Sequence, residues 1–222
     1  MVHILERTEK EPPMNIAVIG GGGVGETLAR AWARGGHVVE FGVREPASEK
    51  SRKLANAAGI SVKSNRDAAA AAHVIVLATP WRATREAVTA CGDLAGKIVI
   101  DCTNPLNSTF TGLDVGLTTS GAEQVASWAP GARVFKAMNQ IGSNLMDHPK
   151  LPGGQPVMFV AGPTEGKADV LRLVRELGFD TIDAGDLEIA RLLEPYAMLW
   201  IHLALRRGFG REIAFALLRP SP

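Results

Sequence analysis

The sequence predicts an α/β fold, a Rossmann-type parallel sheet with a short C-terminal helical appendage. Three observations carry this. Short apolar runs alternate with helix-like segments, the signature of βαβ units. A glycine run, Gly20-Gly-Gly-Gly-Val-Gly25, falls between the first apolar run and the first helix. The run Val74–Ala78 is apolar on both faces, as a central parallel strand should be. At 222 residues, 46% of them hydrophobic, the chain can bury one α/β core of ordinary size but not two. The expected organisation is a flexible N-terminal tail over 1–13, a dinucleotide-binding Rossmann domain over 14–185 and a C-terminal helical segment over 186–222.

Taken in order, Asn15–Ile19 is the first strand, and the glycine run opens a helix from about Gly22 to Arg34. Gly35-Gly36 should end that helix, because glycine adopts the left-handed conformation at a helix C′ position without steric cost. Val38–Val43 is the second strand, Ala47–Ala58 a helix and Ile60–Val62 a short strand. An alanine-rich helical turn then leads into the strand at Val74. Pro80 suits the first turn of the next helix, and Lys97–Asp101 is the strand after it. Ser120-Gly-Ala-Glu123 has the spacing of a capping box and should start a helix to about Trp128. Arg133–Ala137 and Val157–Ala161 are further strands. Asp186 is placed to cap a helix reaching Arg207, with Gly208 ending it. Ile189, Leu192, Leu193, Tyr196, Ala197, Trp200, Ile201 and Ala204 form its apolar arc, and Pro195 should kink it. Arg211–Leu218 is expected to form a last short helix.

Charge and cysteine content narrow the partners. A net charge of +1 argues against a nucleic-acid or membrane-surface binder, which usually shows a basic excess. The longest apolar stretches, Val74–Ala78 and Tyr196–Leu205, fall well short of a membrane span. The opening residues, polar and ending in Pro12-Pro13, do not have the pattern of a secretory signal. Cys91 and Cys102 form neither a CxxC pair nor a metal-spaced set, and read as buried reduced thiols of a cytoplasmic protein. The five histidines make no HxH, HExxH or Cys/His cluster, so no metal site is expected.

The glycine run satisfies G-x-G-x-x-G in the strand-to-helix setting that a dinucleotide requires. Gly20 allows the tight turn, Gly22 lets backbone approach a pyrophosphate, and Gly25 lets helix pack closely on strand. Gly21, Gly23 and Val24 complete the loop, whose helix N-terminus offers free N–H groups to the phosphates. An NAD enzyme normally ends its second strand in an acid that holds the ribose 2′-hydroxyl. Here that place falls to Val43, and Arg44 follows. Glu40 lies an odd number of residues away and faces the other side of the sheet. A guanidinium on a 2′-phosphate is worth about 1.5–3 kcal/mol, so NADP is the expected cofactor. Glu45 opposes it. Later strands end in Thr79-Pro80-Trp81, Thr103-Asn104-Pro105 and Met138-Asn139-Gln140, clusters expected to ring the nicotinamide at the carboxyl edge of the sheet.

Several pieces together resemble a known family. Ile19-Gly-Gly-Gly-Gly-Val-Gly-Glu-Thr-Leu-Ala29, Gly42-Val-Arg44, Leu77-Ala-Thr-Pro-Trp81, Asp183-Ala-Gly185 and Ala190-Arg-Leu-Leu-Glu194 are similar, in matching order, to the coenzyme F420-dependent NADP oxidoreductases. The resemblance runs from about Met14 to the C-terminus. It implies reversible hydride transfer between NADPH and a small-molecule redox acceptor, a deazaflavin such as coenzyme F420 or a flavin-type acceptor, often within a homodimer. It further implies that Gly20 to Gly25 hold the pyrophosphate and Arg44 the 2′-phosphate. Thr79 and Pro80 would border the cofactor, Asn139 would lie by the deazaflavin, and Arg191 would match an arginine near the active site. Archaeal members carry threonine, serine, histidine and serine where this chain has Gly21, Val43, Asn139 and Pro195.

Hydride transfer asks the protein for orientation and exclusion of water rather than for acid–base work. Arg191 shares a helix face with Pro195, Met198 and His202, where a cation could stabilise negative charge on a reduced ring. Arg191 and Asn139 are therefore the candidate active-site residues, while Trp81 and Trp200 are more often packing residues. Two other readings stay open at this point. A non-catalytic NADP-binding sensor or partner subunit would bind NADPH without oxidising it. An imine reductase-like enzyme would need a catalytic lysine, for which Lys136 is the candidate.

Overall fold

The computed structural model describes residues 12–220. The expected tail over 1–13 therefore lies outside the described residues except for Pro12 and Pro13. Among the described residues one sheet of eight strands is flanked by helices on both faces. The first half contains β1 (Asn15–Ile19), α1 (Gly23–Gly35), β2 (Val38–Val43), α2 (Glu49–Ala58), β3 (Ser61–Ser64), α3 (Asn65–Ala71) and β4 (Val74–Leu77). Next come α4 (Trp81–Cys91), β5 (Ile98–Asp101), α5 (Gly121–Trp128), β6 (Arg133–Lys136), β7 (Val157–Ala161), α6 (Lys167–Glu176), β8 (Asp180–Gly185) and α7 (Ala190–Arg206). The strand order is β3-β2-β1-β4-β5-β6-β7-β8, parallel throughout except where β7 runs antiparallel to β6. The chain crosses from one half of the sheet to the other between β1 and β4. That reversal opens a crevice at their carboxyl ends, where open α/β sheets bind ligands.

Strand alternation divides the core between the two faces. Ile16 and Val18 of β1 point to the side covered by Leu28 and Trp32 of α1 and by Val170, Leu173 and Val174 of α6. Ala17 and Ile19 point to the opposite side, against Ala68 and Ala69 of α3, Val88 of α4 and Val125 of α5. Both faces of the central strands are buried, as the doubly apolar run at Val74 requires. Local signals set the ends as read: Gly36 stops α1 in the left-handed conformation, and the Ser120 hydroxyl accepts the Glu123 N–H at the start of α5. Pro80 sits at the N-cap of α4 rather than within its first turn.

Three expectations are corrected. The helix α6 and the strand β8 lie between 162 and 185, a stretch where the sequence reading assigned neither. Residues 211–218 form no helix, and the segment runs in irregular conformation along the molecule. Gly208 and Gly210, both with positive φ, separate it from α7, and eight residues are too few to sustain a helix unaided. It gains more by docking: Val157 N–H donates to the Phe215 carbonyl at 3.0 Å, and Trp200 Nε1 to the Ile213 carbonyl at 2.8 Å. Third, the buried sector of α7 is shifted from the expected arc. Leu192 is 66% exposed, whereas Glu194 is fully buried. Pro195 lies within α7, which continues unbroken to Arg206 after a single 3-10 turn over Leu187–Ile189.

Candidate functional site

The glycine loop lies on the crevice between β1 and β4. Gly20 has a φ of +111°, and a Cβ there would come within 2.6 Å of the Ala78 carbonyl oxygen, so the turn admits only glycine. A Cβ on Gly25 would lie 2.1 Å from the Gly20 carbonyl oxygen, which is how closely α1 approaches β1. Gly22, the N-cap of α1, faces open space: a Cβ there would meet nothing within 4 Å. No side chain caps this helix, so its first-turn N–H groups are left for a ligand. Gly23 and Val24 belong to that turn, and Gly21 sits over Leu54.

From this loop a cleft of about 530 Å³ runs outward along the β2 side of the sheet. Its walls include Gly20, Gly21, Val43, Arg44, Ser48 and Thr79. Arg44 stands at the open end with its side chain 79% exposed, and its Nε lies 3.5 Å from Glu45. Glu40 is engaged elsewhere, on Lys63 at 2.8 Å and as acceptor from Ser61. The residues fit a phosphorylated dinucleotide. A backbone cradle that side chains would fill or break opens into a cleft that the Arg44 guanidinium also lines.

A second cleft of about 300 Å³ adjoins the first across Thr79. Ala78, Thr79, Pro80 and Trp81 form one wall, and Cys102, Thr103 and Asn104 the floor. Much of the rest is supplied by the segment 103–120, through Leu106, Asn107, Ser108, Phe110 and Asp114, with Val24 and Arg82 completing the lining. Phe110 is half-exposed with a φ of +55°, a conformation a bulky side chain rarely adopts and one found disproportionately at ligand sites.

Asn139 and Arg191 occupy neither cleft wall. Asn139 is buried, and its amide donates to Asn104 Oδ1 at 3.0 Å and to the Leu193 carbonyl at 3.2 Å while its oxygen accepts from Gln140. Asn104 donates back to the Asn139 carbonyl at 2.9 Å. Arg191 makes a two-point pair with Glu123, at 3.0 and 2.7 Å, and reaches Glu188 at 2.5 Å. That hydrogen bonding holds the Glu123 carboxyl below the ordinary carboxylate range, against the opposing effect of burial. His202 is exposed, and Trp200 packs in the interior.

The sequence reading missed a cluster of buried charge. Asp101, Lys136 and Glu194 are all 0% exposed, with Lys136 Nζ 2.7 Å from Asp101 Oδ2 and 2.8 Å from Glu194 Oε1. Burial alone would drive the ammonium toward the neutral amine. The two carboxylates outweigh it and hold the Lys136 pKa above its ordinary value. Lys136 is thus a charged, fully paired group and not a lysine free to act on a substrate. A signal was present: Asp101 and Lys136 end apolar strands with opposite charges at the same register, and Glu194 interrupts an apolar helix. Burial pushes the Cys91 thiol up to about 12 and raises that of Cys102 as well, in keeping with inert thiols. Among the described residues no group of three or more metal-ligating side chains is assembled, and no helix is long and apolar enough to cross a membrane.

Comparison with known proteins bears on this arrangement. The profile of a family described as NADP oxidoreductase coenzyme F420-dependent matches residues 15–105. An F420-dependent NADP reductase of Methanothermobacter thermautotrophicus is 35% identical over 213 residues, covering 87% of this chain and 90% of its own. A crystal structure assigned as an F420-dependent NADP reductase from Arthrobacter sp. FB24 superposes with a TM-score of 0.85 at 34% identity, covering 93% of this chain and all of its own. The metalloreductase STEAP3 of Rattus norvegicus is more distant, 26% identical over 86% of this chain but only 37% of its own length.

Proposed function

This chain belongs to the family of coenzyme F420-dependent NADP oxidoreductases, and we propose on that premise a division of labour between its two clefts. The protein is an NADP-dependent oxidoreductase with F420 as co-substrate. When bound, NADPH supplies the hydride and the deazaflavin accepts it; the protein contributes position and dryness. In our reading Gly20, Gly21, Gly22, Gly23, Val24 and Gly25 hold the pyrophosphate on backbone N–H groups. Val43 closes the ribose end, and Arg44 faces the 2′-phosphate. Thr79 and Pro80 stand between the clefts and border the nicotinamide, with Asn104 on the floor beside them. The deazaflavin ring enters the second cleft, under Phe110.

The observation that carries this reading is the meeting of the two clefts at Thr79. One cleft is shaped for a dinucleotide, and its inner end opens directly on a smaller cavity that can take a planar ring. Such contact is what hydride transfer requires, since donor and acceptor carbons must approach to about 3–3.5 Å. Arg191 and Asn139 enter the reading as groups that position the walls, since their polar atoms already have partners.

The exposed stripe Leu192 and Leu199 on α7 supports pairing with a second copy of the chain. Two buried reduced thiols support a cytoplasmic setting. The test is an oxidation assay with NADPH and, in parallel, F420, FMN, FAD and a quinone. F420 is expected to be reduced one-for-one with NADPH consumed. Tight NADPH binding with every acceptor left oxidised would refute the assignment of the second cleft.

A further inference from the structure

We infer that the buried ions Asp101, Lys136 and Glu194 are a positioning device that pins both feet of the 103–120 segment and thereby shapes the acceptor cleft. The inference rests on the acceptor occupying the second cleft, as proposed above. Asp101 Oδ1 accepts the Thr103 N–H at 2.9 Å, and Lys136 Nζ donates to the Thr103 carbonyl at 2.7 Å. Both backbone groups of the first foot are therefore held. At the other foot the Glu194 carboxylate accepts from Gly121 N–H at 2.8 Å and from Ala122 N–H at 3.1 Å. The Lys136 ammonium joins the two anchors by bonding both carboxylates. One cation thus ties together the ends of a segment 18 residues apart in sequence.

Stability alone does not account for such a cluster, because a well-packed apolar trio is often at least as stabilising as buried ions. Geometry does. Between its feet the segment has no helix or strand; it is folded by an isolated bridge from Leu106 to Leu113, by turns such as Asn107 N–H to the Gly112 carbonyl, and by Arg206 donating to the Thr109 carbonyl, and it supplies much of the second cleft. A connection of that length without regular structure would sample many arrangements unless its ends were fixed. The first turns of α7 reinforce both anchors. The Leu193 carbonyl accepts from Asn139, which holds Asn104, and Arg191 grips Glu123 just beyond the second foot. None of the three ions lines the dinucleotide cleft. Loosening them should therefore disturb the acceptor and spare NADPH.

The experiment uses the full chain carrying Glu194→Gln, which keeps the Lys136–Asp101 pair and one oxygen for the α5 amides. Asp101→Asn, which keeps the Lys136–Glu194 pair, is the second variant should the first fail to fold. The KM for F420 is expected to rise about tenfold or more, with the NADPH Kd changed less than about twofold. Limited proteolysis under saturating NADPH should cut the variant within 104–119, where the wild type resists. An F420 KM and a cleavage pattern both equal to the wild type's would overturn the inference. So would an NADPH Kd that rises as much as the F420 KM. Wild-type protein that binds NADPH but reduces no F420 would count instead against the functional reading, and the proteolysis would still decide whether the ions pin the segment.

Discussion

Single side chains decide how the dinucleotide is read. Arg44, the proposed partner of the 2′-phosphate, is largely solvated and leans toward Glu45, so its contribution belongs at the low end of charge-assisted pairs. Arg44→Ala should raise the NADPH Kd about tenfold, near 1.5 kcal/mol, and leave the NADH Kd nearly unchanged. Calorimetry with both nucleotides checks this, and equal losses would remove Arg44 from phosphate recognition. Two glycines of the loop should respond in opposite ways. Alanine at Gly22 meets no neighbour, so stability should hold while the new methyl obstructs the pyrophosphate and weakens NADPH binding. Alanine at Gly25 would collide with the Gly20 carbonyl, costing about 1–3 kcal/mol in urea unfolding as overpacking does. The tight turn at Gly20, the close packing at Gly25 and the place of Arg44 directly after β2 were legible in the sequence because each depends on local chain geometry. The partners of Arg191 and Asn139 were not, since Glu123 and Leu193 lie 68 and 54 residues away in sequence.

At the scale of elements, strands with apolar runs and helices with explicit caps were readable to within a few residues. The elements α6 and β8 were missed for a physical reason. Gly166, which precedes α6, offers no side-chain cap, and Asp180–Gly185 lies toward the sheet edge with a polar, half-exposed pattern. The final segment failed in the opposite sense, since helical spacing there lost to docking against Tyr196, Val157 and Trp200. The junction of α5 and α7 gives a prediction at this scale. Arg191 lowers the Glu123 pKa below its unfolded value, as Lys167 does for Asp183. A carboxyl shifted down stabilises the fold fully above its unfolded pKa, and the contribution drains away as pH falls through the folded one. The urea midpoint should therefore decline on acidification below about pH 4. Arg191→Ala should be less stable at neutral pH and show a shallower decline, and an unchanged acid slope would contradict the pair.

At the scale of the whole fold, the described residues form a Rossmann sheet with a C-terminal helix fastened to it by buried charge. The sequence conveyed the sheet, the dinucleotide loop and the family resemblance. It did not convey that Lys136, weighed as a catalytic lysine, is locked between Asp101 and Glu194, because only folding brings β5, β6 and α7 together. One consequence reaches the entire chain. Both thiols are buried with raised pKa values, so alkylation at pH 8 should be slow in native protein and fast in urea, and rapid native labelling would contradict the packing. The central claim is that the two clefts bring the nicotinamide and the deazaflavin into direct contact. NADPH deuterated at the transferring position of C4, incubated with F420 in ordinary water, tests it most directly. Deuterium is expected at C5 of the reduced deazaflavin, delivered without exchange. Reduced F420 carrying only solvent hydrogen at C5, or no reduction at all, would contradict it.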